Sequence, residues 1–377
     1  MHEAARKTDR LTQNGSMKEQ TANIHIHPVP KSRVDSVDLD EPGFGVTFSD
    51  HMLSMKYRDK AWQTPEIVPF DSFSVSPAMC SIHYGQAIFE GMKAFYNPDG
   101  SIRIFRPETH HERFNRSGER VCIPKTDYQT FIRTLEELIR MDSEWVPQKQ
   151  GNALYIRPFI FATDNYLSVK VSETYQFFVI TSPVGAYYKE GINPVSLITS
   201  ENYVRAVRGG VGNIKTPGNY AASLLPAQKA KDLGYTQVLW LDAVERKYVE
   251  EVGTMNMFFK VDGTLITPPL EGSILGGVTR NSVLNLAKSW DIPIEERRIS
   301  IDEIIQHNKN GKLEEAFGTG TAAVISPVGR IKHKDEVITI NDFKMGPFAR
   351  RLYDTITGIQ YGTVEDPFGW MHPVTHA

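Results

Sequence analysis

Cysteine is nearly absent from this chain of 377 residues: Cys80 and Cys122 alone occur, far apart and outside any C-x-x-C spacing. That excludes a disulfide framework and a thiolate metal site, and it fits reduced thiols in a cytoplasmic setting. No apolar run approaches the roughly 20 residues of a membrane-spanning helix, so no membrane role is expected. A dominant charge is missing too. The formal net charge is -3, from 42 Lys+Arg against 45 Asp+Glu, and gives no reason to expect nucleic acid as a partner. Nothing repeats at a fixed period, and no low-complexity tract follows about residue 35. HIHP (25–28) and His110-His111 have no carboxylate or cysteine at matching spacing, so no metal is expected.

What is present is an ordinary globular composition, 40% hydrophobic and 23% charged, in a chain long enough for two domains. The polar stretch over residues 1–35 reads as a flexible tail, with Met17 an alternative start. KAFY, NPDG and SIRIF (93–105) read as a hairpin turned by Asp99-Gly100. Residues 126–140 read as an amphipathic helix with Tyr128, Phe131, Ile132, Leu135, Leu138 and Ile139 on one face, and Thr126 and Gln129 have capping-box spacing. Strands are expected at 153–162 and 175–183, followed by GAYYKEGINP (185–194) as an interdomain linker. Beyond it, strands at 237–242 and 255–261 alternate with helices at 279–290, from Ser300 to Gly311, and over 346–361. The class is α+β, with a mixed sheet in the second domain.

Most lysines here sit among other charges. Lys215 lies in GGVGNIKTPGNYAAS, where it is the only charge between Arg208 and Lys229. A lysine among glycines can be held where a ligand comes close, as an amine that condenses with a carbonyl must be. A pyridine cofactor also needs a carboxylate for its ring nitrogen. Glu250 and Glu251 are adjacent in a strand-like run, so at most one of them faces a shared site. GSILGGVTR (272–280) is a glycine turn running into a helix, a setting that offers N–H groups to an anion. EAFGTGTAAV (315–324) places Thr hydroxyls beside a second glycine turn.

With these residues in view the sequence resembles the branched-chain-amino-acid aminotransferases of the larger subclass, within fold-type IV of the pyridoxal-phosphate enzymes. PGFGVTFSDHML, HYGQAIFEGMKAF, RPFIFAT, SPVGAYYKEG, VRAVRGGVGN, EEVGTMN, EAFGTGTAA and ITGIQYG follow the family pattern in order over nearly the whole chain. The resemblance implies two α/β domains with the active site at their interface: a small one over 36–184 and a larger pyridoxal-phosphate-binding one over 195–377. Lys215 looks like the Schiff-base lysine and proton shuttle, and Tyr220 like the partner of the ring phenolate oxygen. Glu251 matches the pyridine-nitrogen partner, and Arg113 the phosphate-binding arginine. Val278, Thr279 and Thr321 look like further phosphate contacts, with Arg205 and Thr254 also near the cofactor.

The implied substrate pocket comprises Phe44, Tyr84, Phe89, Tyr155 and Tyr187, some from the other subunit of a homodimer, with Tyr84 also counted among the catalytic groups. Thr254 belongs to this pocket as well, and the backbone N–H groups of Thr321 and Ala322 would take the substrate carboxylate. The implied reaction is ping-pong transamination between L-leucine, L-isoleucine or L-valine and 2-oxoglutarate, with Arg157 a candidate for the second carboxylate of L-glutamate. Mammalian members carry a C-x-x-C where this chain has Ala323 and Ser326, so no thiol switch is expected. Pro226 should kink the helix after Asn219 or mark an irregular start, and Pro217 should hold Thr216 extended. A D-amino-acid aminotransferase and an aminodeoxychorismate lyase are the rivals within the fold type; both are generally shorter and not expected to match SDHML and HYGQAIFEGMKAF. A non-catalytic cofactor-binding protein is the rival of another class, and the presence of every catalytic group argues against it.

Overall fold

The computed structural model describes residues 23–185 and 192–374. Two sheets organise them. The first contains the strands His51–Arg58, Met92–Tyr96, Ile102–Phe105, Ala153–Ala162 and Tyr175–Val184. The last two pair antiparallel along their whole length, from Ala153 opposite Val184 to Ala162 opposite Tyr175. The second contains Val195–Thr199, Gln237–Leu241, Val249–Val252, Met255–Val261, Leu313–Gly320 and Val324–His333. Pairing of Glu251 with Asn256 closes these six into one circuit, with parallel and antiparallel neighbours mixed. The class is α+β, as the pattern implied.

Local chemistry accounts for the turns. Asp262 and Gly263 both have positive φ, 49° and 77°, the pair a tight hairpin needs between Met255–Val261 and Thr264–Thr267. Eight α-helices are described: α1 (Cys80–Tyr84), α2 (Pro107–Arg120), α3 (Tyr128–Met141), α4 (Pro217–Ala221), α5 (Leu224–Asp232), α6 (Val278–Ser289), α7 (Ile301–Lys309) and α8 (Pro347–Gln360). Helices α2 and α3 pack Phe114, Phe131, Leu135 and Leu138 against Leu53 and Phe177 of the first sheet. A second cluster joins the sheets. Phe95 and Phe105 from the first meet Phe258 and Phe317 from the second, with Leu286 of α6 and Leu352 and Ile356 of α8. Each such buried side chain contributes about 1.5–3 kcal/mol, which holds the two sheets together.

Several expectations need correction. Residues 23–35, read as the end of a tail, are anchored: His25 and Ile26 pair with Glu66 and Ile67, and Asp50 receives Ser32 and Arg33. A polar segment hides such anchors because its partners lie far along the chain. Most of the supposed linker, residues 186–191, lies outside the described residues, Tyr187 included. The chain also returns to its start, with Met371–Pro373 antiparallel to Ile102–Phe105 in the first sheet. Pro226 sits in the first turn of α5, after a break from α4 at residues 222–223, so it marks an irregular start. Thr216 is extended, φ -119° and ψ 145°, as the following proline demands.

The cap of α3 differs as well. Asp127, not Thr126, accepts the Thr130 N–H, at 2.8 Å, while the Thr126 hydroxyl turns to His111. At α7 the expected cap holds, with Ser300 Oγ accepting the Glu303 N–H at 3.1 Å. Asp127→Ala should therefore cost about 1 kcal/mol in urea unfolding. An unchanged midpoint would contradict the capping role.

Candidate active site

A cavity of about 310 Å³ opens between the two sheets. From the first half of the chain it is lined by Phe44, Phe89, Arg113, Tyr155 and Arg157. From the second half come Lys215, Tyr220, Thr254, Val278, Thr279, Thr321 and Ala322. Arg205 and Glu251 lie just behind, in a crevice shared with Tyr220 and Thr254. Sequence reading had named all of these. Tyr84 is not brought there; it ends α1 on the surface, 42% exposed.

Lys215 ends a loop that Asn219 ties down through bonds to the Val211 and Ile214 carbonyls, at 2.8 and 2.9 Å. Its Nζ donates to Tyr220 Oη at 2.7 Å and sits 4.8 Å from the centre of the Phe89 ring. The adjacent glutamates part, as a strand requires. Glu250 receives the Ser273 hydroxyl, while Glu251 accepts the Leu275 N–H at 2.7 Å and lies 3.1 Å from Arg205 Nε. Burial pushes the Glu251 carboxyl upward, and Arg205 opposes that shift.

At one end of the cavity Gly277 precedes α6, and no side chain caps that helix. Its first N–H groups, at Val278 and Thr279, therefore suit an anion. A Cβ at Gly277 would fall 2.0 Å from Asn256 Oδ1, so only glycine lets the turn lie this close. Arg113 stands beside this turn and donates to the Gly276 carbonyl at 3.1 Å. Its Nε and a terminal nitrogen grip both oxygens of Glu90, at 2.7 and 2.8 Å, and His110 Nδ1 lies 2.9 Å from the same carboxylate. Burial alone would raise the Glu90 carboxyl, but Arg113 and His110 outweigh it and hold Glu90 well below the usual range.

Thr321 and Ala322, which also line the cavity, form the turn into Val324–His333. Val324, β-branched, is held at φ 61°, a conformation that costs about 1–3 kcal/mol. Lys93, buried and without a carboxylate among the described residues, donates to the Ala322 carbonyl at 2.9 Å. Burial pushes its ammonium down to about 8. Arg157 stacks over Phe89 and Tyr155, 4.9 and 5.3 Å from the ring centres, and bonds to Tyr155 Oη at 3.1 Å. Its buried Nε has no hydrogen-bond partner among the described residues, and neither has Thr319 Oγ1, which lines the same cavity from the second sheet.

Glu90 and Lys93 were missed by the sequence reading. The signal was there: both are charges in the otherwise apolar run AIFEGMKAF. His110 and His111 each have a protein partner. His111 bonds to Thr126, and among the described residues no group of three or more potential ligands gathers.

The amino-transferase class IV pattern matches residues 87–331, which include both walls of the cavity. The chain belongs to the amino-transferase class IV family. It is 51% identical to branched-chain-amino-acid aminotransferase 2 of Bacillus subtilis (strain 168), over 94% of this chain and 97% of that one. The fold is similar to the branched-chain aminotransferase of Thermoproteus uzoniensis solved with norvaline: TM-score 0.72, 26% identity, 86% of this chain and 100% of that one. It is also similar to the T.th. branched-chain amino acid aminotransferase solved with pyridoxamine 5'-phosphate: TM-score 0.71, 27% identity, 85% and 98% covered.

In this class IV aminotransferase the lone ammonium of Lys93 has a measurable consequence. Between about pH 8 and 10.5 the unfolded chain holds that proton and the folded one does not, so stability rises with pH across this window. Lys93→Met removes the penalty. Its stability relative to the parent should be higher by on the order of 3 kcal/mol at about pH 7.5 than at about pH 10.5. A pH-independent difference would contradict the burial argument.

Proposed function

We propose that this chain is a branched-chain-amino-acid aminotransferase that uses pyridoxal 5'-phosphate, transferring the amino group of L-leucine, L-isoleucine or L-valine to 2-oxoglutarate. One observation carries the reading. A single amine, Lys215 Nζ, faces a cavity with an anion-binding helix start at one end and an arginine on an aromatic wall at the other. The residues present fit the cofactor. Arg113 and the N–H groups of Val278 and Thr279 would hold its phosphate, with Thr321 as a further contact. Tyr220 would meet the ring oxygen, and Glu251, with Arg205 behind it, the ring nitrogen. When bound, the group supplies an aldehyde for the amine and an electron-withdrawing ring that eases loss of the α-proton.

The rest is the work of the chain's own residues. Lys215 Nζ would take up the substrate's α-proton and give it back to complete the exchange, for which one mobile amine suffices. The Tyr220 hydroxyl, 2.7 Å from that amine, steadies it. The Thr321 and Ala322 N–H groups receive the substrate's α-carboxylate, and Phe44, Phe89 and Tyr155 bury an aliphatic side chain while keeping water away. Such a wall separates leucine, isoleucine and valine only weakly, since one methylene is worth about 1–3 kcal/mol. The same pocket must take glutamate, and the unused Nε of Arg157 is available for its second carboxylate.

The enzyme acts as a homodimer in the cytoplasm on this reading, with Tyr84 and Tyr187 serving substrate at a site shared between subunits. Exposed Phe73, Val75, Ile82 and Tyr84, near exposed Leu167 and Val169, support an apolar face for a second copy. Among the described residues no helix is long and apolar enough to cross a membrane.

Half-reactions test the assignment. L-leucine should convert the cofactor to its amine form and D-alanine should not; the reverse would favour a D-amino-acid aminotransferase. Arg157→Ala should slow the glutamate half-reaction at least about tenfold more than the leucine one, the worth of one charge-assisted bond. Equal losses would remove Arg157 from that role.

A further inference from the structure

By sequence Lys215 belongs to the second half of the chain, yet its main chain is held by the first. Its carbonyl accepts the Phe89 N–H at 3.1 Å, and the neighbouring Thr216 hydroxyl donates to the Ala87 carbonyl at 2.9 Å. The Lys215 N–H donates to Ser117 Oγ at 3.0 Å, and that hydroxyl donates in turn to the Arg113 carbonyl at 2.8 Å. Ser117 is completely buried. Its single proton is committed to Arg113, so a lone pair is left for Lys215, and the polarity of the relay is fixed. Ser117 lies one turn after Arg113 on α2, and Gly118 beside it packs closely on Ile88 and the Ile123 carbonyl. The helix therefore lies close against the first sheet at this point.

We propose that Ser117 is a positioning residue that sets the Lys215 amine relative to the Arg113 end of the cavity. This rests on the reading above, in which Arg113 holds the cofactor phosphate and Lys215 exchanges the proton. The two contacts lie at opposite ends of one ligand, so an error in their spacing falls on the reacting carbon. One helical turn, about 5.4 Å of α2, carries that spacing, and the Ser117 hydroxyl transmits it to the lysine. Without the hydroxyl the part-buried Lys215 N–H loses its acceptor, and the loop is free to shift toward another. Around the amine itself stand Tyr220, Glu251 and the Glu90–His110–Arg113 cluster, whose side chains bond to one another and not to Ser117.

The test uses holoenzyme with Ser117→Ala, Ser117→Cys and Ser117→Thr, followed by the visible absorbance of the cofactor–Lys215 linkage against pH and by the leucine half-reaction. Ser117→Ala should shift the titration midpoint and lower kcat by about ten- to a hundredfold, with KM for leucine little changed. Ser117→Thr keeps the hydroxyl and should restore both, while Ser117→Cys, a weak acceptor of similar size, should fall between. A lower unfolding temperature in Ser117→Ala with titration and kcat like the parent's would reduce Ser117 to a packing residue and overturn the proposal. If Ser117→Ala does not fold, Ser117→Cys decides: behaviour equal to the parent's overturns the proposal. A parent protein with no visible chromophore would instead defeat the functional reading, so the two failures are distinguishable.

Discussion

The bond from the Phe89 N–H to the Lys215 carbonyl ties the loop that carries Lys215 to a strand of the first sheet. Everything at the cavity depends on that seam. Phe89, Arg113, Tyr155 and Arg157 come from one side and Tyr220, Thr254, Val278 and Thr321 from the other, so a slip of one sheet would separate the groups without unfolding either. The aromatic cluster of Phe95, Phe105, Phe258 and Phe317 resists such a slip through buried area, which has no direction. The directional bonds at Phe89 and Thr216 then select one alignment.

Charge is distributed along the cavity as the proposed chemistry requires. The positive end at Arg113 is balanced by Glu90, so an arriving phosphate meets donors already fixed in place. Glu251 is shared between Arg205 and a backbone N–H, and both oppose the upward push of burial on its carboxyl. At the substrate end the balance is incomplete: Lys93 has a carbonyl and Arg157 a phenol, neither of them a counter-charge. A bound dicarboxylate would complete it, while an aliphatic side chain can rest on the aromatic rings beneath Arg157.

Much of this was legible in the sequence, for identifiable reasons. Hairpins turned by Asp-Gly and a helix capped by Ser300 rest on neighbours in the chain, so local spacing found them. Lys215 stood out by its uncharged setting, and Glu251 could be told from Glu250 only through resemblance, because alternation fixes that they diverge and not which one faces inward. What escaped was nonlocal. The circuit of six strands needs Val195–Thr199 beside Val324–His333, the anchored segment 23–35 needs Asp50 and His51, and Met371–Pro373 needs Ile102–Phe105. Glu90 and Lys93 escaped because an apolar strand run draws attention from its charges. Tyr84 was named for the site, yet it lies outside the cavity of its own chain.

The most direct measurement is borohydride reduction of the yellow protein followed by peptide mapping, since it asks which amine the cofactor holds. The account predicts one modified site, Lys215, in the peptide reading GGVGNIKTPGNYAAS. A label at Lys93, a buried lysine beside the Ala322 turn, or at any surface lysine would contradict it.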